Sequence, residues 1–252
     1  MKTFLKLFGA MFLTLSSFAF ASNVPNVQWT LGEYFTSFTP KLAGADTSTG
    51  IHPPFIVSGT NATSTSASAS TMYGVLLTTT TASSDQVIVS GNSSQSLGTA
   101  GFMTTDKMPA AKFIVDTGVS VAACTVVAAL RATAALDTVT NDTDKCGFIF
   151  GSTAGTGNWG IFAGSGTVAA TTYDTGIAVT ASTRYTLEIT VNTLRQPTFY
   201  INGTPVTLRA STTPIPFALA AAQNVMPVFG IGTGTTAAKT VYLRYIEARK
   251  TE

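Results

Sequence analysis

The stretch that most constrains this chain is residues 183–206, TRYTLEITVNTLRQPTFYINGTPV. Tyr185, Leu187, Ile189 and Val191 alternate with Thr186, Glu188, Thr190 and Asn192. A period of two puts one face of a strand in a core and the other in water. The chain breaks between Leu194 and Pro197, where Pro197 has no N–H to give a central ladder, and resumes as TFYI. It then meets Asn202-Gly203, a pair favoured where both central residues of a type I′ turn need positive φ. The reading is strand, break, strand, tight hairpin, and a return strand beginning at Val206 and Leu208. None of it carries evident chemistry.

Short strand candidates bounded by Gly, Asn, Asp, Ser or Thr recur from Met72 onward: MYGVLLTT, DQVIVSG, AKFIVDTG, CTVVAALRA, CGFIFGS, NWGIFAGS, GIAVTA and TVYLRYIEA. That spacing predicts a sandwich or barrel. Residues 72–252 are therefore expected to form one antiparallel β-sandwich. Residues 22–71 form a lead-in with strands near Trp29 and Phe35, which either stands apart or joins the same sandwich. Within the lead-in, 58–71 (SGTNATSTSASAST) reads as a polar surface loop. Helical signal is confined to PFALAAAQ, residues 216–223, which reads as one short turn or helix.

Residues 1–21 combine Lys2 and Lys6, an apolar run from Leu7 to Leu15, and Ala19-Phe20-Ala21. This is the pattern of a cleaved secretory signal, with an uncleaved N-terminal arm as the alternative. Removing the segment turns a formal charge of +2 into 12 basic against 12 acidic side chains. With no basic stripe, binding of nucleic acid by phosphate neutralisation is excluded. His52 is the only histidine, which rules out histidine-dependent triads and the usual zinc sets. Cys124 and Cys146 are the only cysteines. They form one disulfide between neighbouring strands or remain two buried thiols.

The run from Cys146 to Arg249, through CGFIFG, NWGIFAG, YDTGIAVTASTRYTLEITVN, FYINGTPV and PVFGIGTGTTAAKTVYLRYIEAR, resembles the concanavalin A-like β-sandwiches of the jelly-roll lectin and glucanase type. It is most like versions found in bacteriophage structural proteins. The resemblance implies an all-β antiparallel jelly roll. Glucanases of this type hold a close carboxylate pair on one strand. The four glutamates here, Glu33, Glu188, Glu247 and Glu252, fall in no such arrangement, so the expectation is that the chain is not an enzyme. One departure from the family pattern is Arg244, where a carboxylate or small polar residue is expected beside Tyr245.

Aromatic rings beside amides or hydroxyls suit sugar binding, because the ring stacks on a pyranose face while the polar neighbour bonds its hydroxyls. Asn158 with Trp159, Tyr173 with Asp174, and Tyr200 with Asn202 are the available sets, with core packing as the alternative fate of each ring. Asn141, Asp142 and Asp144 offer the oxygens calcium prefers, against a plain solvated turn. Gly155 to Gly160 matches GxGxxG literally but precedes a strand, so it reads as a hairpin turn rather than a dinucleotide site.

The expectation that follows is a structural protein of a bacteriophage virion surface, a capsid decoration or head-fibre element. It would associate with itself, often as a trimer, and with capsid or other virion proteins, through outward apolar residues such as Ile246 and Val206. The competing expectation is an exported lectin-like protein, in the periplasm, on the cell surface or outside the cell, that binds glycans.

Overall fold

The computed structural model describes residues 28–34, 55–60, 63–66, 75–81, 85–91, 103–132, 136, 144–151, 157–165, 171–206, 218–233 and 237–251. The candidate signal segment, 1–21, lies outside them. The strands are β1 (Gln28–Tyr34), β2 (Phe55–Thr60), β3 (Thr63–Ser66), β4 (Val75–Thr78), β5 (Gln86–Gly91), β6 (Ala110–Thr117), β7 (Cys124–Arg131) and β8 (Asp144–Phe150). They continue with β9 (Asn158–Ser165), β10 (Thr171–Ala178), β11 (Arg184–Val191), β12 (Pro197–Ile201), β13 (Thr204–Pro205), β14 (Met226–Thr233) and β15 (Thr240–Thr251).

Two antiparallel sheets result. The first runs β13-β12-β11-β6-β15-β4-β3, with β1 also paired to β15; the second runs β10-β9-β8-β7-β14-β5-β2. The lead-in thus contributes strands to both sheets. The Ser/Thr-rich stretch read as a loop instead forms the end of β2 and all of β3, because β-branched threonine suits an extended chain beside β4. Of the two fates open to PFALAAAQ, its described part takes the turn rather than the helix. Ala222 takes a left-handed φ of 55°, and the chain there is tied to the Thr105–Lys107 turn by Ala222 N–H donating to the Asp106 carboxylate.

The hairpin turns where its sequence dictates, but the return strand is β13, Thr204–Pro205, which ends before Val206, and Leu208 lies outside the described residues. Tyr185, Leu187, Ile189 and Val191 are buried, and Pro197 opens β12, where a missing N–H is tolerated. Asn202 and Gly203 take φ of 52° and 77°. The Asn202 carboxamide oxygen also accepts the Thr186 N–H at 2.8 Å, which locks the turn back onto β11.

The sheets meet in a core whose centre is aromatic. Trp159 and Phe148 of the second sheet stand edge-on to Tyr185 and Phe199 of the first, with centroids 5.4 Å apart for Trp159–Tyr185 and for Phe148–Phe199. Ile246, expected at an interface, is fully buried in this core, and Val206 packs against it. The exposed large hydrophobics among the described residues are Val119, Ile177 and Leu194. Leu194 lies in the turn after β11, at the opposite end of that strand from the turn after β6 that carries Val119.

Cys124 and Cys146 are both buried thiols and the disulfide between them does not form. Cys146 sits opposite Leu130, six positions along β7 from Cys124. At ~3.3 Å per residue that is about 20 Å, far beyond a disulfide's reach.

Candidate functional site on the outer face of the larger sheet

The ring-bearing residues singled out by sequence do not converge. Trp159 is fully buried between the sheets and offers no platform to a sugar. Its strand explains why: β9 alternates, so Trp159 points inward while Asn158 points out of the second sheet, where its amide bonds the Asp174 carboxylate at 3.0 Å. Tyr173 packs against the core, and Tyr200 lies half-buried on the outer face of the first sheet. Of the calcium set, Asn141 and Asp142 fall outside the described residues, and Asp144 opens β8 opposite Ser165. Among the described residues no group of three or more acidic, Cys or His side chains is placed to hold a metal.

The two outer faces differ. On the second sheet Ile88, Val127, Ala129, Ile149, Phe162, Met226 and Val228 form a second apolar cluster, and Leu136 from the segment after β7 covers part of it. Leu136 rests over Gly230, where a Cβ would come within 2.3 Å of its Cδ2. Arg131 and Lys145, cross-strand neighbours on this face, are buried and each has an interaction partner. This face is largely withdrawn from solvent.

The outer face of the first sheet is polar and reachable. Register places Tyr200, Glu188, Lys112 and Glu247 in one row across β12, β11, β6 and β15. The Arg249 Nη2 donates to Glu188 Oε1 at 2.6 Å. Its Nε stands 2.9 Å from Glu247 Oε1, an ion-pair distance, but without the alignment of a hydrogen bond. The Tyr245 hydroxyl donates to the other Glu247 oxygen at 2.5 Å. Two carboxylates 59 positions apart in sequence thus converge on one guanidinium.

A β-bulge in β15 makes this possible. Leu243 pairs with Val115 and Tyr245 with Ile114, so Arg244 is the extra residue. The slip leaves Leu243, Ile246 and Ala248 facing the core and turns Tyr242, Arg244, Tyr245, Glu247 and Arg249 outward. The unexpected arginine at 244 is the bulged residue. The trace of it in the sequence is the three-residue step between Leu243 and Ile246 in VYLRYIEAR, which breaks the alternation.

About 13 Å along β6 from Lys112, four residues at ~3.3 Å each, lies a second polar group. Asp116 accepts Arg184 Nε at 2.7 Å on Oδ1 and Arg244 Nε at 2.6 Å on Oδ2. Arg184 Nη2 and Arg244 Nη2 also reach Oδ2. Burial works to raise the Asp116 carboxyl, but the hydrogen bonds and charges of the two arginines outweigh it and hold its pKa below the ordinary range. The bond to Asp116 in turn raises Arg184, against a smaller opposing effect of burial. Arg244 also lies 5.9 Å from the centre of the Tyr242 ring.

No family model matches the chain, and no curated protein sequence matches it. Among solved structures, a protein of unknown function from Shewanella oneidensis MR-1 aligns over 90% of this chain and 88% of its own, with 14% identity and a TM-score of 0.55. A glycosyl hydrolase family protein from Mycobacterium fortuitum aligns over 86% of this chain and 98% of its own, with 8% identity and a TM-score of 0.52. The fold is a concanavalin A-like antiparallel β-sandwich. A carbohydrate esterase from the Shiga toxin-encoding bacteriophage phi24B is also similar, at 18% identity and a TM-score of 0.44, over 78% of this chain and 89% of its own. At these identities the likeness is one of fold.

The expectation that the chain is not an enzyme is overturned. The architecture spans nearly the whole of a glycosyl hydrolase family protein. The argument against activity also rested on the lack of a carboxylate pair along one strand, whereas Glu188 and Glu247, in one row on either side of Lys112, both contact Arg249.

Proposed function

We propose that the outer face of the larger sheet binds carbohydrate. The observation that carries this reading is the convergence of Glu188 and Glu247 on Arg249, flanked by Tyr200 and Tyr245. Carboxylates and a guanidinium held in fixed positions bond adjacent sugar hydroxyls, and the half-buried Tyr200 supplies ring surface without the entropic cost of a flexible side chain, while the buried Tyr245 holds Glu247 through its hydroxyl. The use of this fold by carbohydrate-active proteins supports the reading. Titration calorimetry against a panel of neutral and acidic oligosaccharides tests it. The wild type binds at least one class, and Tyr200→Ala and Glu188→Gln each weaken that binding about tenfold. Binding unchanged in both variants overturns it.

A second reading is favoured by the same convergence: Glu188 and Glu247 cleave a glycosidic bond, one protonating the leaving oxygen and the other acting at the anomeric carbon or on a water. Release of reducing ends by the wild type, abolished in Glu188→Gln and in Glu247→Gln, supports hydrolysis. Sugar binding without release contradicts it.

The setting proposed for this activity is a bacteriophage virion surface, with the chain as a self-associating decoration or head-fibre element. The residue resemblance and the charge-poor, threonine-rich strands support it. Export as a glycan-binding protein is the alternative. Immunogold labelling of purified particles separates the two, and labelling confined to the cell envelope contradicts the virion setting.

A further inference from the structure

The contacts among Glu188, Glu247, Arg249 and Tyr245 leave Lys112 out. It stands on β6, half-buried, directly opposite Glu188 of β11 on one side and Glu247 of β15 on the other. Among the described residues its ammonium makes neither a hydrogen bond nor an ion pair, because both carboxylates turn to Arg249 instead. Glu188 does so through Oε1; its Oε2 accepts no hydrogen bond among the described residues, and the side chain is 26% exposed. Neighbouring strands, with Cβ atoms ~5 Å apart, thus present an oxygen that only accepts and an ammonium that only donates, not bonded to each other. A hydroxyl answers both, giving its hydrogen to Glu188 and taking one from Lys112, alone or as two adjacent hydroxyls of one ring. An anionic group suits Lys112 but meets Glu188 and Glu247 on its two sides. The four charges of the site, Glu188 and Glu247 against Lys112 and Arg249, already sum to zero. Tyr200 on β12 continues the same row beyond Glu188. From Tyr200 to Lys112 is two strand spacings, roughly 10 Å, which a single sugar ring does not span.

We infer that Lys112 contacts the ligand and sets its charge class: the face takes a neutral oligosaccharide of at least two rings, lying across the strands from Tyr200, with hydroxyls bridging Glu188 and Lys112. The inference rests on the carbohydrate-binding reading of the same face and adds one contact, the class of sugar and its direction. Arg249 is then a positioning residue, holding Glu188 so that Oε2 stays open beside Lys112. Glu247, fixed by Arg249 and the Tyr245 hydroxyl, repels anions from the far side of Lys112.

The test is a calorimetric titration of the full chain with three 1,4-linked tetrasaccharides, of glucose, of galactose and of galacturonic acid. The better of the two neutral probes is expected to bind at least roughly tenfold tighter than the galacturonate. Lys112→Met keeps the apolar stem and removes the donors, and is expected to weaken neutral-sugar binding about tenfold while the thermal melt stays that of wild type. Lys112→Gln, which restores an uncharged donor, is expected to recover part of that loss. Galacturonate bound as tightly as the neutral probes, or Lys112→Met binding as wild type does, overturns the inference; the carbohydrate-binding reading then stands on the losses in Tyr200→Ala and Glu188→Gln. A glutamine variant no better than the methionine variant overturns the hydrogen-bonding role of Lys112. Failure of all three probes, together with the wider neutral and acidic panel, overturns both.

Discussion

Replacing Trp159 tests directly which side of β9 faces the core. The indole is fully buried and lies edge-on to three rings, Phe148 at 6.4 Å, Phe150 at 6.1 Å and Tyr185 at 5.4 Å between centroids. Burying ~200 Å² of aromatic surface at ~25 cal/mol per Å² is worth about 5 kcal/mol. Measured truncations of this kind cost about 3–5 kcal/mol, so Trp159→Ala is expected in that range. For a chain of this size that lowers the melting temperature by about 6–20 °C. Trp159→Phe is the informative partner. The indole Nε1–H finds no acceptor among the described residues, and an unsatisfied buried donor costs about 1–3 kcal/mol. Phenylalanine removes that donor and keeps most of the ring, so its net cost is expected below about 2 kcal/mol. Melts followed by far-ultraviolet circular dichroism avoid reliance on the fluorophore being removed. Trp159→Ala within 2 °C of wild type, or a Phe variant as costly as the Ala variant, would refute the packing argument. Trp159→Phe is also expected to leave sugar binding intact, since the ring faces away from either outer surface.

Other consequences are equally direct. The folded-state pKa of Asp116 is lowered from an ordinary 3.8, so the unfolded chain takes up the proton first as pH falls. The stability Asp116 contributes is present above about pH 3.8 and is lost as pH drops through the folded value; urea midpoints between pH 5 and pH 2.5 should fall more steeply in wild type than in Asp116→Asn, and parallel curves would contradict this. A Cβ at Gly118 would lie 2.2 Å from the Thr240 carbonyl oxygen, so Gly118→Ala must push β15 from the end of β6. A cost of about 1–3 kcal/mol or more is expected, and an unchanged melt would show the contact to be looser. Burial pushes the Cys124 thiol up to about 11, against a smaller opposing effect of the Lys239 charge. Iodoacetamide at pH 8 is expected to modify neither cysteine in the native protein, and both after unfolding without reductant; a species that stays unmodified until reduced would reveal a disulfide.

The sandwich was legible because its signals are local. The alternation in β11, Pro197 at the start of β12 and the positive-φ pair Asn202-Gly203 each act over a few residues, and the structure places them as read. What sequence reading missed depends on pairing between distant strands. Glu188 looks solitary along β11, and only the order β11-β6-β15 brings Glu247 into its row. Sequence leaves Trp159 open between core and sugar face because NWGIFAG is rich in apolar residues on both faces, where Phe162 of the outer cluster and Trp159 of the core lie on opposite sides. Such a strand shows no polar phase from which to tell inside from outside. The bulge at Arg244 did leave a trace, the broken alternation of VYLRYIEAR, but a phase slip gains meaning only once the register on β6 is known.

The central claim is that the larger sheet's outer face, not the covered face of the smaller sheet, receives a sugar. Isoleucine methyl resonances report on the two faces separately: Ile114 lies on the first, whereas Ile88 and Ile149 belong to the apolar cluster on the second. Titration with a bound oligosaccharide, followed by methyl nuclear magnetic resonance, is expected to shift Ile114 while Ile88 and Ile149 stay in place. Shifts at Ile88 and Ile149 with Ile114 unmoved would contradict the account.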